Sequence, residues 1–362
     1  MQFGFFMMPA HHPGENPTLC FDRDLDLIEY AESLGYDEYW IGEHHSAGWE
    51  LIPAPDLFIA AAAQRTKRIR LGTGVVNLPY HHPFDVAERI AFLDHLTHGR
   101  LDFGVGPGVL PTDYDLFELD SNDLRPMMDE SLEIIMKLFT ADGPVTYEGK
   151  YWTIRERQLM VKPFQKPHTP LAITSLGGDH GVGLAAKYGA QLLTGTFLRP
   201  IEGKVLGEQW MDLERQAAAQ GQTVRRDDWR VVYYVYLADT RKQALADIEE
   251  RVTREQLEYF MPLTAKMSGR SYDPDAKLDI PKIADEKRWI VTDPDGCIEW
   301  LKGLERDTGG LGGVLIVSTE WATLENWKRS MELFARYVMP EFKNGGGGAK
   351  QAWRKMMDWA AP

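Results

Sequence analysis

Residues 35–45 read GYDEYWIGEHH, and this stretch decides the fold. Gly35 ends a helical pattern, residues 38–42 are typical of a buried strand, and Glu43-His44-His45 follows at the carboxyl end of that strand. Two other histidine pairs also follow apolar runs: His11-His12 after residues 3–8, and His81-His82 after residues 69–78. Because a (β/α)8 barrel carries its chemistry at the carboxyl ends of its strands, the pattern predicts one imidazole-rich site.

Strand-like and helix-like segments alternate along the whole chain, which favours a parallel sheet with crossover helices. The eight strand candidates are residues 3–8, 38–42, 69–78, 101–105, 171–174, 190–194, 231–238 and 313–317. Helices are predicted over about residues 22–34, 55–66, 83–96 and 126–139, with another that begins near Asp179. We therefore predict an α/β protein with a single (β/α)8 TIM barrel over residues 1–340.

Three segments depart from this alternation. Residues 140–168 contain a predicted hairpin through residues 145–154. Residues 255–290 follow the seventh strand, contain several prolines with little periodicity, and predict an inserted lid. Residues 341–362 are predicted to form a flexible linker at Gly345–Gly348 and a short C-terminal helix over 349–361, which packs on the barrel or on a partner.

Composition excludes several classes of function. The 362 residues carry a formal net charge of −14 with no long basic run, which argues against nucleic acid as a partner. No apolar stretch reaches the roughly 18–20 residues that span a bilayer, and the N-terminus lacks the features of a signal peptide. We therefore expect a cytoplasmic protein without a membrane partner. Two cysteines, Cys20 and Cys297, are too few for a disulfide framework or a structural zinc site.

Glu43-His44-His45 is the strongest catalytic candidate, because histidine exchanges protons near neutral pH. We predict His44 as the catalytic residue, since strand alternation turns His45 the other way. A histidine that only caps a helix or bonds the backbone is the alternative. His81-His82-Pro83 also has two interpretations: one imidazole contacts a ligand, or it only orients the N-terminus of the following helix. His11-His12 is expected at the edge of a lid.

Six histidines at one rim are also consistent with a metal-dependent hydrolase. That class needs further ligands from later strands, and the last four predicted strands contain no histidine. Adjacent histidines in a strand also point apart. We therefore predict no metal.

Two features are suited to a phosphate group. Arg125 precedes Pro126 at the start of a helix, although a salt bridge with Asp120 or Asp123 would explain it equally. In the turn Ser175-Leu176-Gly177-Gly178-Asp179-His180-Gly181, the glycines would let backbone amides close on a phosphate, and an ordinary loop is the alternative. Gly104-Val105-Gly106-Pro107-Gly108 lacks the dinucleotide spacing and is interpreted as letting a flat ring approach the backbone.

With these residues in place, the chain resembles the bacterial luciferase-like flavin monooxygenases over nearly the whole barrel. The resemblance rests on the following stretches: Gly35-Tyr36-Asp37, Glu43-His44-His45, Leu71-Gly72-Thr73-Gly74-Val75, His82-Pro83, residues 99–104, Arg125, residues 167–170 and residues 185–189. Residues 330–340 are similar to the subgroup that contains limonene monooxygenase and relatives acting on apolar or cyclic substrates.

The resemblance implies that reduced FMN binds at the carboxyl ends of the strands and is supplied by a separate NAD(P)H:flavin reductase. The cofactor-binding residues would be Gly74, Val75, Asn77, Gly106, Arg125, Ser175, Gly177, Gly178 and Gly181. Within this set, Gly74-Val75 would be a non-prolyl cis peptide behind the flavin, while Arg125 and the Ser175–Gly181 turn would hold the phosphate. His44 would manage the proton of a C4a-peroxyflavin, and a homodimer is the family expectation.

Two positions depart from the luciferases. Gly106 stands where they have a cysteine beside the flavin, and Pro107 stands where they have an arginine. The missing thiol argues against light emission, and the missing guanidinium implies a rearranged phosphate site.

We therefore predict a two-component monooxygenase that uses O2 to oxygenate a small apolar substrate such as a terpene, cyclic ketone or aldehyde. The predicted substrate-binding residues are Phe5, Phe6, Trp49, Val109, Leu110 and Trp321, whose apolar side chains suit such a guest. Two alternatives remain open: an F420-dependent dehydrogenase on the same barrel, and a flavin-binding protein without catalysis. FAD is less favoured than FMN because only one phosphate site is predicted.

Overall fold

The computed structural model describes residues 1–46, 48–196 and 201–343, together with 352, 353, 355–357 and 359. Its strands are β1 (Gln2–Met7), β2 (Glu38–Ile41), β3 (Arg70–Thr73), β4 (Val76–Asn77), β5 (Leu101–Gly106), β6 (Val145–Glu148), β7 (Thr153–Arg157), β8 (Leu171–Ser175), β9 (Gln191–Gly195), β10 (Trp229–Tyr233), β11 (Val235–Leu237), β12 (Ile290–Thr292) and β13 (Gly313–Ser318). Parallel pairing follows the order β3-β2-β1-β13-β10-β9-β8-β5, and β3 also pairs with β5. The predicted eight-stranded barrel is therefore confirmed.

Helices cover the outside of the barrel. They are α1 (Pro17–Ser33), α2 (Pro55–Arg65), α3 (Pro83–Leu96), α4 (Pro111–Leu116), α5 (Leu124–Thr140), α6 (Asp179–Tyr188), α7 (Gly203–Ala219), α8 (Arg241–Glu255), α9 (Met261–Met267), α10 (Ile280–Asp285), α11 (Pro294–Thr308), α12 (Leu324–Leu333) and α13 (Met339–Phe342). Proline at the first or second position and a capping side chain begin several of them: Asn16 caps α1, and His82 caps α3. In the described part of the chain, no helix combines the length and apolarity needed to cross a lipid bilayer.

Two predicted strands are divided in the structure. The third ends at Thr73, and after the cis Gly74–Val75 peptide it resumes as β4, which pairs with β5. The seventh is interrupted at Tyr234, and its second part, β11, pairs with β12 outside the barrel. Continuous apolar sequence conceals both breaks, because most residues on either side of each interruption are buried.

The segment predicted as an inserted lid, residues 255–290, is more regular than expected. Helix α8 continues through a π-helical turn, Gln256–Phe260, into α9, and α10 follows further on. Pro262 does not stop the chain from being helical, because it follows the π-helical turn, where the regular hydrogen-bond ladder is already interrupted. The predicted hairpin is present as the antiparallel pair β6 and β7.

At the C-terminus, the predicted linker at Gly345–Gly348 lies outside the described residues. Residues 352, 353, 355–357 and 359 are helical, and four of them have exposed apolar side chains: Trp353, Met356, Met357 and Trp359. The helix was predicted to pack either on the barrel or on a partner. These four exposed side chains do not pack on the barrel.

The barrel interior is filled around the indole of Trp40. A Cβ at Gly72 would overlap this indole, and a Cβ at Gly104 would overlap the carbonyl oxygen of Thr73. Gly104 is therefore needed for close strand packing, and the interpretation that it admits a flat ligand was wrong. Below Trp40, Arg230 Nε lies 2.5 Å from Glu38 Oε1, so a buried ion pair closes that end of the interior.

Candidate active site

His44 lies just beyond the carboxyl end of β2, between two carboxylates. Its Nδ1 is 2.8 Å from Asp113 Oδ2, and its Nε2 is 3.0 Å from Glu50 Oε2. Burial lowers the pKa of His44, but the charge of Glu50 and the hydrogen bond with Asp113 outweigh it, so the pKa is raised. The imidazole keeps 21% of its surface exposed, whereas both carboxylates are buried. His44 is therefore the part of this group that a ligand could reach.

Asp113 comes from α4, a short helix that follows β5. Its second oxygen, Oδ1, accepts a hydrogen bond from the His45 amide at 3.0 Å and another from the Ser46 hydroxyl. Burial raises the pKa of Asp113, and the hydrogen bonds from His44 and Ser46 lower it further than burial raises it. Asp113 therefore stays ionised and holds both His44 and the backbone of the loop after β2.

Glu50 approaches His44 from the opposite side. Its Oε1 accepts a hydrogen bond of 2.5 Å from the Tyr259 hydroxyl. Tyr259 belongs to the π-helical turn of the predicted lid segment, so this segment does reach the site, as a lid would. Tyr259 also stacks on Trp49 with ring centroids 5.7 Å apart.

Glu43 organises a second group of side chains behind His44. Its Oε1 is 2.9 Å from His45 Nε2 and 2.8 Å from His81 Nε2, and its Oε2 accepts from the Asn77 amide at 3.0 Å. Burial raises the pKa of Glu43, but these hydrogen bonds outweigh it and the pKa is lowered. The sequence predicted that the side chains of His44 and His45 point in different directions. This is confirmed, because His44 contacts Asp113 and Glu50 whereas His45 contacts Glu43.

The remaining paired histidines have structural partners. His11 is buried with Nε2 2.7 Å from Asp24 of α1. His82 caps α3 through Nδ1, which accepts from the Phe84 amide at 3.2 Å, and its ring packs on Trp152. For His82 the structure therefore favours orientation of the helix N-terminus over ligand contact. His12 packs edge-on against Trp49, and its place at the edge of a lid stays a prediction.

The residues predicted to lie behind a flavin ring come together at one place. The Gly74–Val75 peptide is cis, as predicted. A Cβ at Gly74 would lie 3.0 Å from the ring of Phe6, and a Cβ at Gly106 would lie 2.7 Å from Val75 Cγ2 and 3.1 Å from Thr174 Oγ1. Val75 thus fills the space that a side chain at position 106 would need, which explains physically why no thiol stands there.

The predicted phosphate turn leads into α6, and the N-cap residue of this helix, Gly178, has no side chain to bond the first amides. A Cβ at Gly178 would meet nothing within 4 Å, so this side of the backbone is open. The Ser175 hydroxyl donates to the Gly178 carbonyl at 3.3 Å, so a phosphate would have to replace that acceptor. Gly181 packs against the Thr174 carbonyl, which explains this glycine without a ligand.

Arg125 lies at the start of α5 with an exposed side chain. Neither predicted salt bridge forms, because Asp123 binds Lys150 and Tyr151, while Asp120 binds Asn122. Asp129 follows Arg125 by one helical turn, on the same face, and bonds His180 of α6 at 2.8 Å. This contact directs the face that carries Arg125 toward the uncapped N-terminus of α6.

The predicted substrate residues do not form one wall. Phe5 packs between Tyr36 and Tyr39 on the helix-facing side of β1, so its assignment to the pocket was wrong. Trp321 is 1% exposed and stacks on Tyr234 with centroids 4.4 Å apart, which places it in packed core. Leu110 is buried before α4, and Val109 beside it is 40% exposed at the rim. Substrate contacts of Phe6, Trp49, Val109, Leu110 and Trp321 stay predictions.

The composition and periodicity of the sequence contained no signal for Asp113, Glu50, Tyr259 or a fourth group, Glu255. Glu255 ends α8, is buried, and accepts a hydrogen bond of 3.0 Å from the Trp321 indole. Burial and, secondarily, the charge of Glu50 raise the pKa of Glu255 to about 8, against the hydrogen bond from Trp321. A carboxyl group with a raised pKa is typical of functional sites, and here it arises from burial beside a residue that is distant in sequence.

Residues 1–310 match the family model described as luciferase-like monooxygenase. The chain is 42% identical over 356 residues to 4-hydroxyprotoasukamycin monooxygenase of Streptomyces nodosus subsp. asukaensis, which covers 98% of this chain and 95% of that protein. It is 36% identical over 359 residues to limonene 1,2-monooxygenase of Rhodococcus erythropolis, covering 99% and 91%. The oxygenating constituent of 3,6-diketocamphane monooxygenase from Pseudomonas putida, solved with FMN, has a TM-score of 0.77 at 28% identity, covering 94% of this chain and 98% of that one.

The fold, the rim histidine and these matches define an enzyme of the flavin-dependent monooxygenase class. The chain belongs to the luciferase-like monooxygenase family. The predicted similarity to limonene monooxygenase is confirmed.

Proposed function

We propose that this chain is the oxygenase component of a two-component system that uses reduced FMN and O2 to oxygenate a small apolar substrate. The observation that carries the proposal is His44, held between Asp113 and Glu50 at the barrel rim. The named activities of the limonene and 3,6-diketocamphane enzymes favour a terpene or a cyclic ketone, with an aldehyde as a further candidate.

The residues present fit FMN in two respects. The cis Gly74–Val75 peptide, Asn77 and Gly106 would contact the isoalloxazine, and Arg125 with the uncapped amides of α6 would hold the single phosphate. When bound, reduced FMN supplies the electrons that activate O2. A reductase that delivers reduced FMN is part of this proposal, because the diketocamphane relative is itself an oxygenating constituent. A homodimer is proposed as well, to be tested by light scattering.

The chain's own contribution to the chemistry is proton management in a restricted space. When protonated, His44 carries one proton on Nδ1, which faces Asp113, and a second on Nε2, which faces Glu50 and can be released to a ligand. Asp113 keeps Nδ1 in place throughout. Trp49, Tyr259 and the predicted lid segment limit the access of water on this side of the rim.

The test is an isotope experiment. Protein and reduced FMN are mixed anaerobically, then exposed to ¹⁸O2 with a terpene, a cyclic ketone or an aldehyde, and products are analysed by mass spectrometry. The proposal predicts one ¹⁸O atom in the product and none without protein. Unlabelled substrate recovered from every member of the panel, with flavin reoxidised at the protein-free rate, would contradict it and direct the next assay to reduced F420.

A further inference from the structure

We propose that Tyr259, acting through Glu50, is a positioning residue for His44. The kinetic consequence of this inference rests on the proposed function, whereas the contacts themselves belong to the chain alone. Tyr259 and Glu50 are 209 positions apart in sequence, so their hydrogen bond joins the segment after α8 to the rim loop that follows β2.

The two oxygens of Glu50 have different partners. Oε1 accepts the 2.5 Å hydrogen bond from the Tyr259 hydroxyl, and Oε2 lies 3.0 Å from His44 Nε2. The Glu50 side chain is 2% exposed, so water cannot readily replace either partner. In the described part of the chain, Tyr259 is the sole hydrogen-bond donor to Oε1. Its hydroxyl therefore sets the rotation of the carboxylate that faces His44.

The π-helical turn is held against the rim by further contacts. The Tyr259 ring stacks on Trp49 with an interplanar angle of 15°, and Glu258 Oε2 lies 3.8 Å from His12 Nε2. The rim loop is in turn fixed to the end of β1, where Ala10 and Glu50 form an isolated antiparallel bridge. Removing only the Tyr259 hydroxyl should leave these contacts in place.

The surrounding charges explain why one hydroxyl matters. The titratable groups that act on His44 or Glu50 come from several elements: Asp113 in α4, Glu43 after β2, Glu255 at the end of α8, Tyr234 after β10, and Tyr259 itself. Glu50 is thus a buried carboxyl group near a second one, and the Tyr259 hydroxyl fixes the direction in which its Oε2 points. Without this donor the Glu50 carboxyl can rotate away from His44 Nε2, and it then favours the protonated form of His44 less.

The experiment measures the pKa of His44 directly by NMR titration of histidine-labelled protein, with the His44 signal assigned by its loss in His44→Gln. We expect Glu50→Gln to lower this pKa by about 1–3 units, because an opposite charge within hydrogen-bonding distance is removed. We expect Tyr259→Phe to lower it in the same direction by a smaller amount. Tyr272→Phe is the matched control, since its hydroxyl donates to the Leu257 carbonyl in the same segment and not to Glu50.

A His44 pKa in Tyr259→Phe equal to that of the unmodified protein would overturn the proposal, even if Glu50→Gln fails to fold. An equal shift in Tyr272→Phe would overturn it as well, because a general loosening of the segment would then explain the result. If the oxygenase is active, its pH profile should move with the pKa of His44. If no turnover is found at all, the proposed function fails, while the titration still decides the role of Tyr259.

Discussion

At the scale of single residues, His44 depends on two carboxylates, one from its own rim loop and one from α4. Asp113 and Glu50 each face one ring nitrogen, so the imidazole is fixed in orientation and its proton is retained. Of the other rim histidines, His45 and His81 bind Glu43 and His11 binds Asp24, whereas His82 caps a helix and His12 packs on Trp49. His44 combines a raised pKa with access to a ligand.

Replacing His44 by glutamine should lower turnover by about 10²–10⁴-fold, the usual contribution of a positioned acid or base. Affinity for reduced FMN should change little, because the residues proposed to bind it are elsewhere. Steady-state turnover and flavin titration measure the two effects. His82→Gln is the control, since His82 is exposed and caps α3. Equal losses in both variants would show that His44 has no special role.

Glu255 should make the protein less stable as pH rises. Its folded pKa of about 8 exceeds the reference value of 4.5, so the folded chain keeps a proton that the unfolded chain loses. The stability associated with that proton is present at low pH and is lost between these two values, at up to about 1.4 kcal/mol per pH unit. Urea unfolding at several pH values measures this effect. The free energy of unfolding should fall less steeply with rising pH in Glu255→Gln than in the unmodified protein.

The side-chain amide oxygen introduced by Glu255→Gln would still accept the hydrogen bond from the Trp321 indole, so packing is preserved. Glu249→Gln on the exposed face of α8 serves as the comparison and should leave the pH dependence as it was. Parallel stability curves for the Glu255 variant and the unmodified protein would refute the assignment of a raised pKa.

At the scale of elements, the geometry of the site depends on where helices begin and strands stop. The third strand is interrupted at the cis Gly74–Val75 peptide, and this places Val75 against Gly106 of β5. The contact between Asp129 and His180 brings the start of α5 to the start of α6. Within the described residues, no side chain caps α6, and Arg125 stands on the face of α5 that carries Asp129.

Arg125→Ala should weaken FMN binding by about 10- to 100-fold, since a charged hydrogen bond contributes about 1.5–3 kcal/mol. Equilibrium dialysis or fluorescence titration at two ionic strengths would measure the loss, which should be smaller at high salt. Arg155→Ala removes an equal charge from the exposed hairpin strand β7 and should leave affinity unchanged. Equal effects of the two variants would point to net charge and not to a phosphate contact.

At the scale of the whole molecule, the closed barrel depends on an interior that mixes packed glycines, one large indole and buried charge. Arg230 of β10 and Glu38 of β2 join strands that are not neighbours in the sheet, and Trp40 donates to the other oxygen of Glu38 at 2.6 Å. This pair therefore ties two sides of the barrel together.

Arg230→Met should destabilise the protein by about 3–5 kcal/mol, because it leaves the Glu38 carboxylate buried without its partner. Denaturant unfolding measures the change. Arg225→Met removes the same kind of side chain from an exposed pair with Asp228, and exposed pairs contribute about 0–1 kcal/mol. If the two variants lost similar stability, the interior pair would have no special role in barrel closure.

Strand order and the position of His44 at the rim followed from sequence alone, because period-two and helical patterns are local and strand ends define the rim. The catalytic role of His44 stays a prediction. Asp113 and Tyr259 did not follow, since they meet His44 and Glu50 across 69 and 209 positions of chain. The wrong assignment of Phe5 has a related cause. Residues 3–7 of β1 are all apolar or glycine and buried, so the sequence does not show which of them face the barrel interior and which face the helices. Local periodicity in the sequence determined which residues lie at the rim of the barrel. Which carboxylates lie beside the His44 imidazole was decided by the tertiary structure alone, because these contacts depend on the three-dimensional course of the loops.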